Sequence, residues 1–193
     1  MCAWEIVTLD NLGILKSGRQ VHKPEYDPSL FCEGSVPLIE SQLIENDQLF
    51  VRNVRRYYNT FGVGQSTIFE ADTVCITRTG NVAKTSIIKV PSCLSSRVHG
   101  LTPFVGVSDA IFIKYSFDFS KIKKLCQNIA SANTETKVLT IDRLLKILFP
   151  NPPFELQQKI GKILSTYDLL IENYQRQIEE AKKQVVWKMI HTS

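Results

Sequence analysis

The chain has little of what marks a metalloprotein, a disulfide scaffold or a membrane protein. Its three histidines, His22, His99 and His191, lie far apart with no cysteine or carboxylate at ligand spacing, so no metal-binding motif is present. Five cysteines, Cys2, Cys32, Cys75, Cys93 and Cys126, are scattered, odd in number and form no Cys-x-x-Cys pair; they read as reduced thiols of a cytoplasmic protein. No apolar run approaches the roughly 20 residues that cross a bilayer, and Met1-Cys2-Ala3-Trp4 opens no secretory segment. A soluble, intracellular protein without a membrane partner is expected. Glycine-rich phosphate loops are missing too, since Gly80-Asn81-Val82-Ala83-Lys84-Thr85 lacks the second glycine before its lysine and reads as a tight turn. No serine–histidine–acid or cysteine–histidine set stands out. The sequence therefore assigns no catalytic residue, no metal and no cofactor.

What is present is an uneven charge. The net charge of +4 is small, yet residues 1–50 carry −5 and residues 51–100 carry +5. The basic block runs Arg52, Arg55, Arg56 into Tyr57, and continues through Arg78, Asn81, Lys84, Lys89 and Arg97. Arginine forks match phosphates and guanine edges, asparagine pairs with adenine, and tyrosine stacks on bases or bonds to phosphate. A nucleic-acid face fits that set; a solvated basic loop or edge strand fits the composition equally well.

Periodicity predicts an α+β fold. Trp4–Leu9, Val36–Ile39, Ile68–Phe69, Thr73–Thr77, Ser86–Val90, Phe104–Val107 and Ala110–Lys114 read as strands between turn residues, Asp10-Asn11 as a short helical start, and Lys16–Pro28 as loop. Ser120 reads as the cap of a helix carrying Ile122, Leu125 and Ile129, and Ile141, Leu144, Leu145 and Leu148 suggest a second helical piece. The tail is different. After Pro150-Asn151-Pro152-Pro153, Leu164, Ile171, Ile178 and Val185 fall at one heptad position and Ile160, Tyr167, Tyr174 and Ala181 at its partner. So narrow a stripe suits a helix that zips against one other helix. The division expected is a mixed, sheet-rich domain over residues 1–149 and a proline-rich joint with a long helix over residues 150–193.

One tetrapeptide suggests chemistry. Asn151-Pro152-Pro153-Phe154 matches the Asn-Pro-Pro-aromatic sequence with which amino-methyltransferases hold a flipped adenine. The only glycine-rich candidate for holding S-adenosylmethionine, Phe61-Gly62-Val63-Gly64, follows the polar run Arg55–Thr60 rather than an apolar strand, and no doubly wound sheet is legible around it. A linker in which prolines fix an extended joint before a helix is the better reading.

The order Trp4–Leu9, Asn11-Leu12-Gly13, Lys16-Ser17-Gly18, Val36–Ile39 and Val74–Lys84 resembles a target-recognition domain of the type I restriction-modification specificity subunits. The tail, Leu148–Ile160 and Ile163–Glu172, resembles the joint and spacer helix of the same family and is the more specific part. Such proteins carry two recognition domains and two spacer helices, so this chain resembles a half-length form. The resemblance implies no catalysis. It implies sequence-specific recognition of double-stranded DNA and docking of methylation and restriction subunits, with S-adenosylmethionine on the methylation partner. It further implies an antiparallel homodimer about a two-fold axis through Ile160, Leu164, Tyr167, Ile171, Tyr174, Ile178, Ala181 and Val185. Residues 155–191 as a helix reach on the order of 55 Å, about 16 base-pair steps, so a pair of domains reads a split palindrome across an unread spacer. The expected DNA contacts are Arg52, Arg55, Arg56, Tyr57, Arg78, Asn81 and Lys84, with Lys16 and Arg19 beside them. Two other classes stay open: a coiled-coil scaffold without sequence-selective DNA binding, and an adenine methyltransferase built on Asn151–Phe154.

Overall fold

The structure is a computed structural model that describes residues 4–45, 48–130 and 137–191, with side chains described as far as Trp187. Cys2 and the His191 side chain lie outside the described residues. In chain order the elements are β1 (Glu5–Val7), β2 (Gly13–Ser17), β3 (Val36–Ile39), β4 (Tyr57–Tyr58), α1 (Thr60–Gly64), β5 (Ile68–Phe69), β6 (Val74–Thr77), β7 (Thr85–Ile87), β8 (Ser92–Leu94), β9 (Val98–Pro103), α2 (Ala110–Asp118), α3 (Ser120–Ala130), α4 (Ile141–Leu144), β10 (Phe149–Asn151) and α5 (Phe154–His191).

Two four-stranded sheets make the body. One runs β2-β9-β6-β7 and is antiparallel throughout; the other runs β4-β3-β8-β5, with β3 and β8 parallel. β6, Val-Cys-Ile-Thr, is buried at every position because both its faces are covered, so its sequence is a continuous run rather than an alternation. The sheets meet where the Phe69 ring lies over Gly100: a Cβ there would come within 2.6 Å of the ring, so only glycine admits the contact. On the other side of the first sheet, Phe112, Ile113 and Phe117 of α2 and Ile122, Cys126 and Ala130 of α3 are buried. Most of these join Val74, Ile76, Ile87 and Leu101 in the main core, where the Phe117 and Phe149 rings stand 4.9 Å apart.

Ala110–Lys114 is not a strand. Asp109 caps α2 by accepting from the Phe112 amide at 2.8 Å, which commits the β-branched and aromatic run to a helix despite its strand-like composition. Phe104–Val107 turns through Gly106, at φ 74°, instead of extending β9. Nor does Ser120 cap α3. It is the first helical residue, and the Phe119 carbonyl accepts from the Lys123 amide. The loop expected from Lys16 begins later, since Lys16 and Ser17 still belong to β2.

The joint is built into the body. β10 pairs antiparallel with β1, Ile6 opposite Pro150, before α5 departs. The first half of α5 lies on α2 through a stripe of small and polar residues: Gln157, Gly161 and Ser165 are buried, and Asp168 and Glu172 half-buried. At Gly161 a Cβ would sit 3.2 Å from the Ile111 side chain, so glycine sets the close approach. Beyond Glu172 and Asn173 every residue of α5 with a described side chain is exposed.

Candidate nucleic-acid interface

Strand register gathers loops that are far apart in sequence. Ser17 pairs with His99, Val98 with Thr77, and Ile76 with Thr85, so the segments 16–20, 78–84 and 94–97 emerge at one end of the first sheet. The 78–84 turn is tight because Gly80 and Ala83 take positive φ, 72° and 61°, while the Thr77 hydroxyl donates to the Asn81 carbonyl at 2.6 Å and accepts from the Lys84 amide at 2.9 Å. The three segments are laced together. The Gly18 amide donates to the Val98 carbonyl, the Arg78 amide to the Arg97 carbonyl, and the Ser96 amide to Gln20 Oε1 at 3.1 Å. This end carries Lys16, Arg19, Arg78, Lys84 and Arg97 and no carboxylate within the three segments. Asn81 is exposed at its tip, while Arg78 Nε and Ser95 Oγ are buried and have no hydrogen-bond partner among the described residues. Such an end attracts a polyanion and offers donors to it.

His99 underlies this end. It is 1% exposed, its Nε2 donates to the Leu139 carbonyl at 2.7 Å, and its Nδ1 accepts from the Ser17 hydroxyl at 3.0 Å. That pairing fixes the neutral Nε2–H tautomer. Burial, together with the nearby Arg78 charge, holds its pKa below the ordinary value. The imidazole is a neutral clamp between β2, β9 and the segment before α4.

The second predicted group separates. Arg52 reaches across to α5 and pairs with Glu172 at 2.9 Å. Arg56 pairs with Glu40 at 2.7 Å and lies 4.5 Å over the Tyr26 ring, whose hydroxyl also donates to Glu40. Arg55 and Tyr57 stay exposed on the edge of the second sheet. The structure thus unites Lys16, Arg19, Arg78, Asn81 and Lys84, adds Arg97, and gives Arg52 and Arg56 carboxylate partners. Arg97 belonged to the basic block, but only the β6–β9 register places it beside Arg78.

The tetrapeptide has a structural task. Asn151 donates to Glu5 Oε2 at 3.2 Å and accepts from Gln157 Nε2 at 3.0 Å, so both ends of its amide are engaged within the joint. Gln157 does more: its Oε1 accepts from the Asp109 amide, and its Nε2 also faces the carbonyls of Pro152 and Val107. Periodicity gave no signal for this glutamine, which occupies a heptad position that a coiled coil would fill with an apolar residue. Among the described residues no three His, Cys, Asp or Glu side chains gather as a metal site, and no helix is long and apolar enough to cross a membrane.

Of the predicted seam, Ile160 is half-buried. The rest is bare: Leu164 is 39% exposed, Ile171 54%, Tyr174 56% and Ile178 54%.

A sheet-rich α+β domain with a basic end, from which one long helix with an uncovered apolar seam departs, is the architecture of a recognition module on a helical arm. The chain belongs to the family described as the type I restriction modification DNA specificity domain, which it matches over residues 1–183. It is 24% identical over 185 residues to the MjaIX type I restriction enzyme specificity subunit of Methanocaldococcus jannaschii, covering 93% of this chain and 41% of that protein. Its fold is shared with the HsdS subunit of Thermoanaerobacter tengcongensis, at a TM-score of 0.67 and 16% identity over 91% of this chain and 40% of that one. It is shared too with the type I S subunit of M. genitalium, at 0.63 and 20% over 93% and 43%. The chain spans less than half the length of these relatives. The family is one of specificity subunits, which are not the catalytic ones.

Proposed function

We propose that this chain reads DNA sequence for a type I restriction-modification system, docks the methylation subunit that supplies S-adenosylmethionine and the restriction subunit, and pairs through α5 with a second copy. The observation that carries the reading is the cluster of Lys16, Arg19, Arg78, Lys84 and Arg97, on three segments that contain no carboxylate, in a member of a DNA specificity family. In this reading residues 1–149 are the recognition domain and residues 150–193 the joint and spacer helix. Lys16, Arg19, Arg78, Asn81, Lys84 and Arg97 meet the duplex, with Arg55 and Tyr57 flanking.

The pairing has a preferred register. An antiparallel arrangement that sets Ile160 against Val185 of the second copy also sets Leu164 against Ala181, Tyr167 against Ile178 and Ile171 against Tyr174. It uses all eight seam positions and places the two-fold axis between Glu172 and Asn173. Slipping by one heptad loses a layer at each end. The 38 residues of α5 reach about 57 Å, on the order of 17 base-pair steps.

Mapping adenine methylation across the source genome, with the gene present and deleted, tests this. Loss of one split palindromic motif supports a symmetric pair, and loss of an asymmetric motif replaces the second copy with a different half. No change at any motif, from a chain that is dimeric but does not select DNA, favours the scaffold reading.

A further inference from the structure

The struts between the domain and α5 stand apart from the basic end. Tyr115 of α2 donates its hydroxyl to Asp168 at 2.7 Å, and Arg52 pairs with Glu172 one helical turn later at 2.9 Å. Both acids lie on the stripe that begins with Gln157, Gly161 and Ser165, roughly 100° around the helix from the seam. Strut and seam therefore do not compete for the same face. Tyr115 is fixed in turn, its ring lying 4.6 Å from the Lys114 ammonium, which is buried and paired with Asp118 at 2.6 Å. Burial and the acids around it push the Tyr115 pKa far up, so the hydroxyl remains a donor throughout the working range.

We infer that Tyr115, Asp168, Arg52 and Glu172 are positioning residues that fix the angle of the domain on α5, and thereby determine how many unread base pairs separate the half-sites. This rests on the DNA-reading proposal above. Helix length alone does not set the spacing, because β10 and the close packing at Gln157, Gly161 and Ser165 hold the domain near one end of the helix and leave its angle to the two links beyond them. A domain of about 150 residues has a radius of gyration of about 15 Å, so its centre lies about 19 Å from a pivot at its surface, and a tilt of about 10° moves that centre by roughly 3 Å. That is about one base-pair rise of 3.4 Å. Two side-chain links a turn apart resist such a tilt where a single pivot does not.

Two readouts separate this inference from the reading on which it rests. The first needs no DNA. Spin labels are placed at Glu70→Cys and Glu180→Cys in the full chain lacking Cys2 and Cys32, diluted with excess unlabelled chain so that each dimer carries one labelled copy. The parent should give one narrow distance distribution, and Tyr115→Phe with Arg52→Glu a shifted or broadened one. Adding Glu172→Arg to Arg52→Glu should restore the narrow distance by exchanging the charges, and Asp168→Asn, which keeps an acceptor, should leave it narrow. An unchanged distribution in the Tyr115→Phe, Arg52→Glu chain overturns the inference whatever the DNA result. The second readout is the methylated motif in cells. The same chain should keep both half-site sequences while its discrimination against a spacer one base pair longer or shorter falls at least about tenfold, the fold-change of a single lost charge-assisted hydrogen bond where this chain loses two links. Altered half-site bases with an unchanged spacer would also overturn it, by making Arg52 a base reader. A parent that methylates no split motif removes the DNA reading, and the distance experiment still decides the strut.

Discussion

Replacing Gln157 by leucine should cost far more than a surface substitution on an exposed helix, because this side chain closes the joint. Its Oε1 accepts from the Asp109 amide at 3.0 Å, and its two Nε2 hydrogens serve Pro152 O at 2.9 Å, Asn151 Oδ1 at 3.0 Å and Val107 O at 3.1 Å, so at least one is shared. The amide orientation is fixed by these partners, one donor on one side and three acceptors on the other. Leucine fills nearly the same volume but satisfies none of them. Val107 is exposed and Asn151 half-buried, so their oxygens find water; the Asp109 amide and the carbonyl of buried Pro152 have less access to it. Two such groups at about 1–3 kcal/mol each, offset by the gain of an apolar side chain, leave a loss of about 3 kcal/mol. For a chain of this size that lowers Tm by roughly 6–12 °C. Gln157→Glu sharpens the test. It keeps the acceptor for Asp109 but turns a carboxylate towards three oxygens, so it should destabilise at least as strongly at pH 7 and recover as acid protonates it and returns one donor. Thermal and urea unfolding followed by circular dichroism at several pH values reads both. A leucine variant within about 0.5 kcal/mol of the parent, or a glutamate variant whose deficit does not change with pH, would refute the keystone role.

Lys16→Ala with Arg97→Ala should weaken duplex binding and lower the slope of log K against log salt by about 0.9 for each phosphate contact removed; titrations at several salt concentrations measure this, and an unchanged slope takes the basic end out of the interface. His99 has a folded pKa below its ordinary 6.5, so the unfolded chain takes up the proton first. Its contribution is complete above about pH 6.5 and is lost as pH falls from there through its lower folded value, and His99→Gln, which cannot titrate, should lose that part of the acid sensitivity in pH-dependent urea melts. Ile171→Glu should leave the monomer fold intact, since Ile171 is 54% exposed, while abolishing pairing in sedimentation experiments. With a thiol reagent Cys32 should label quickly, whereas Cys75, Cys93 and Cys126 should need unfolding, because they are buried and burial raises all three pKa values, Cys126 to about 12.

The strands at Val36–Ile39 and within Thr73–Thr77 were legible as short apolar runs and the long final helix by its heptad repeat, which together give the α+β class. Ala110–Lys114 misled because its β-branched and aromatic content outweighs its cap in any local window. The cap is a single aspartate whose partner, the Phe112 amide, is visible only in three dimensions. The residues of the basic end could be picked out by type in the sequence, but their grouping could not. Lys16 and Arg19 lie in a segment of net negative charge, and nothing local ties them to Arg78; the antiparallel register of β2, β9 and β6 does. Conversely, Arg52, Arg55 and Arg56 are neighbours in sequence but take different environments, because Glu172 comes from a helix more than a hundred residues later and Glu40 from the end of β3.

The helix shows why sequence pattern finds pairing faces more readily than docking faces. A seam that meets an identical helix repeats every seven residues and is apolar, so it is visible in one dimension. The stripe that meets the domain is Gln157, Gly161, Ser165, Asp168 and Glu172: small where the backbones approach and polar where α2 and the segment at Arg52 present donors. Its residues match a particular surface rather than a period, and none would be chosen as core by hydropathy. Yet this stripe gives the seam its meaning. In the proposed pair the seam joins two helices, and the orientation of each basic end relative to the other then follows from how firmly each domain is held to its own helix. On that proposal, residues outside both the basic end and the seam govern the distance over which the pair reads.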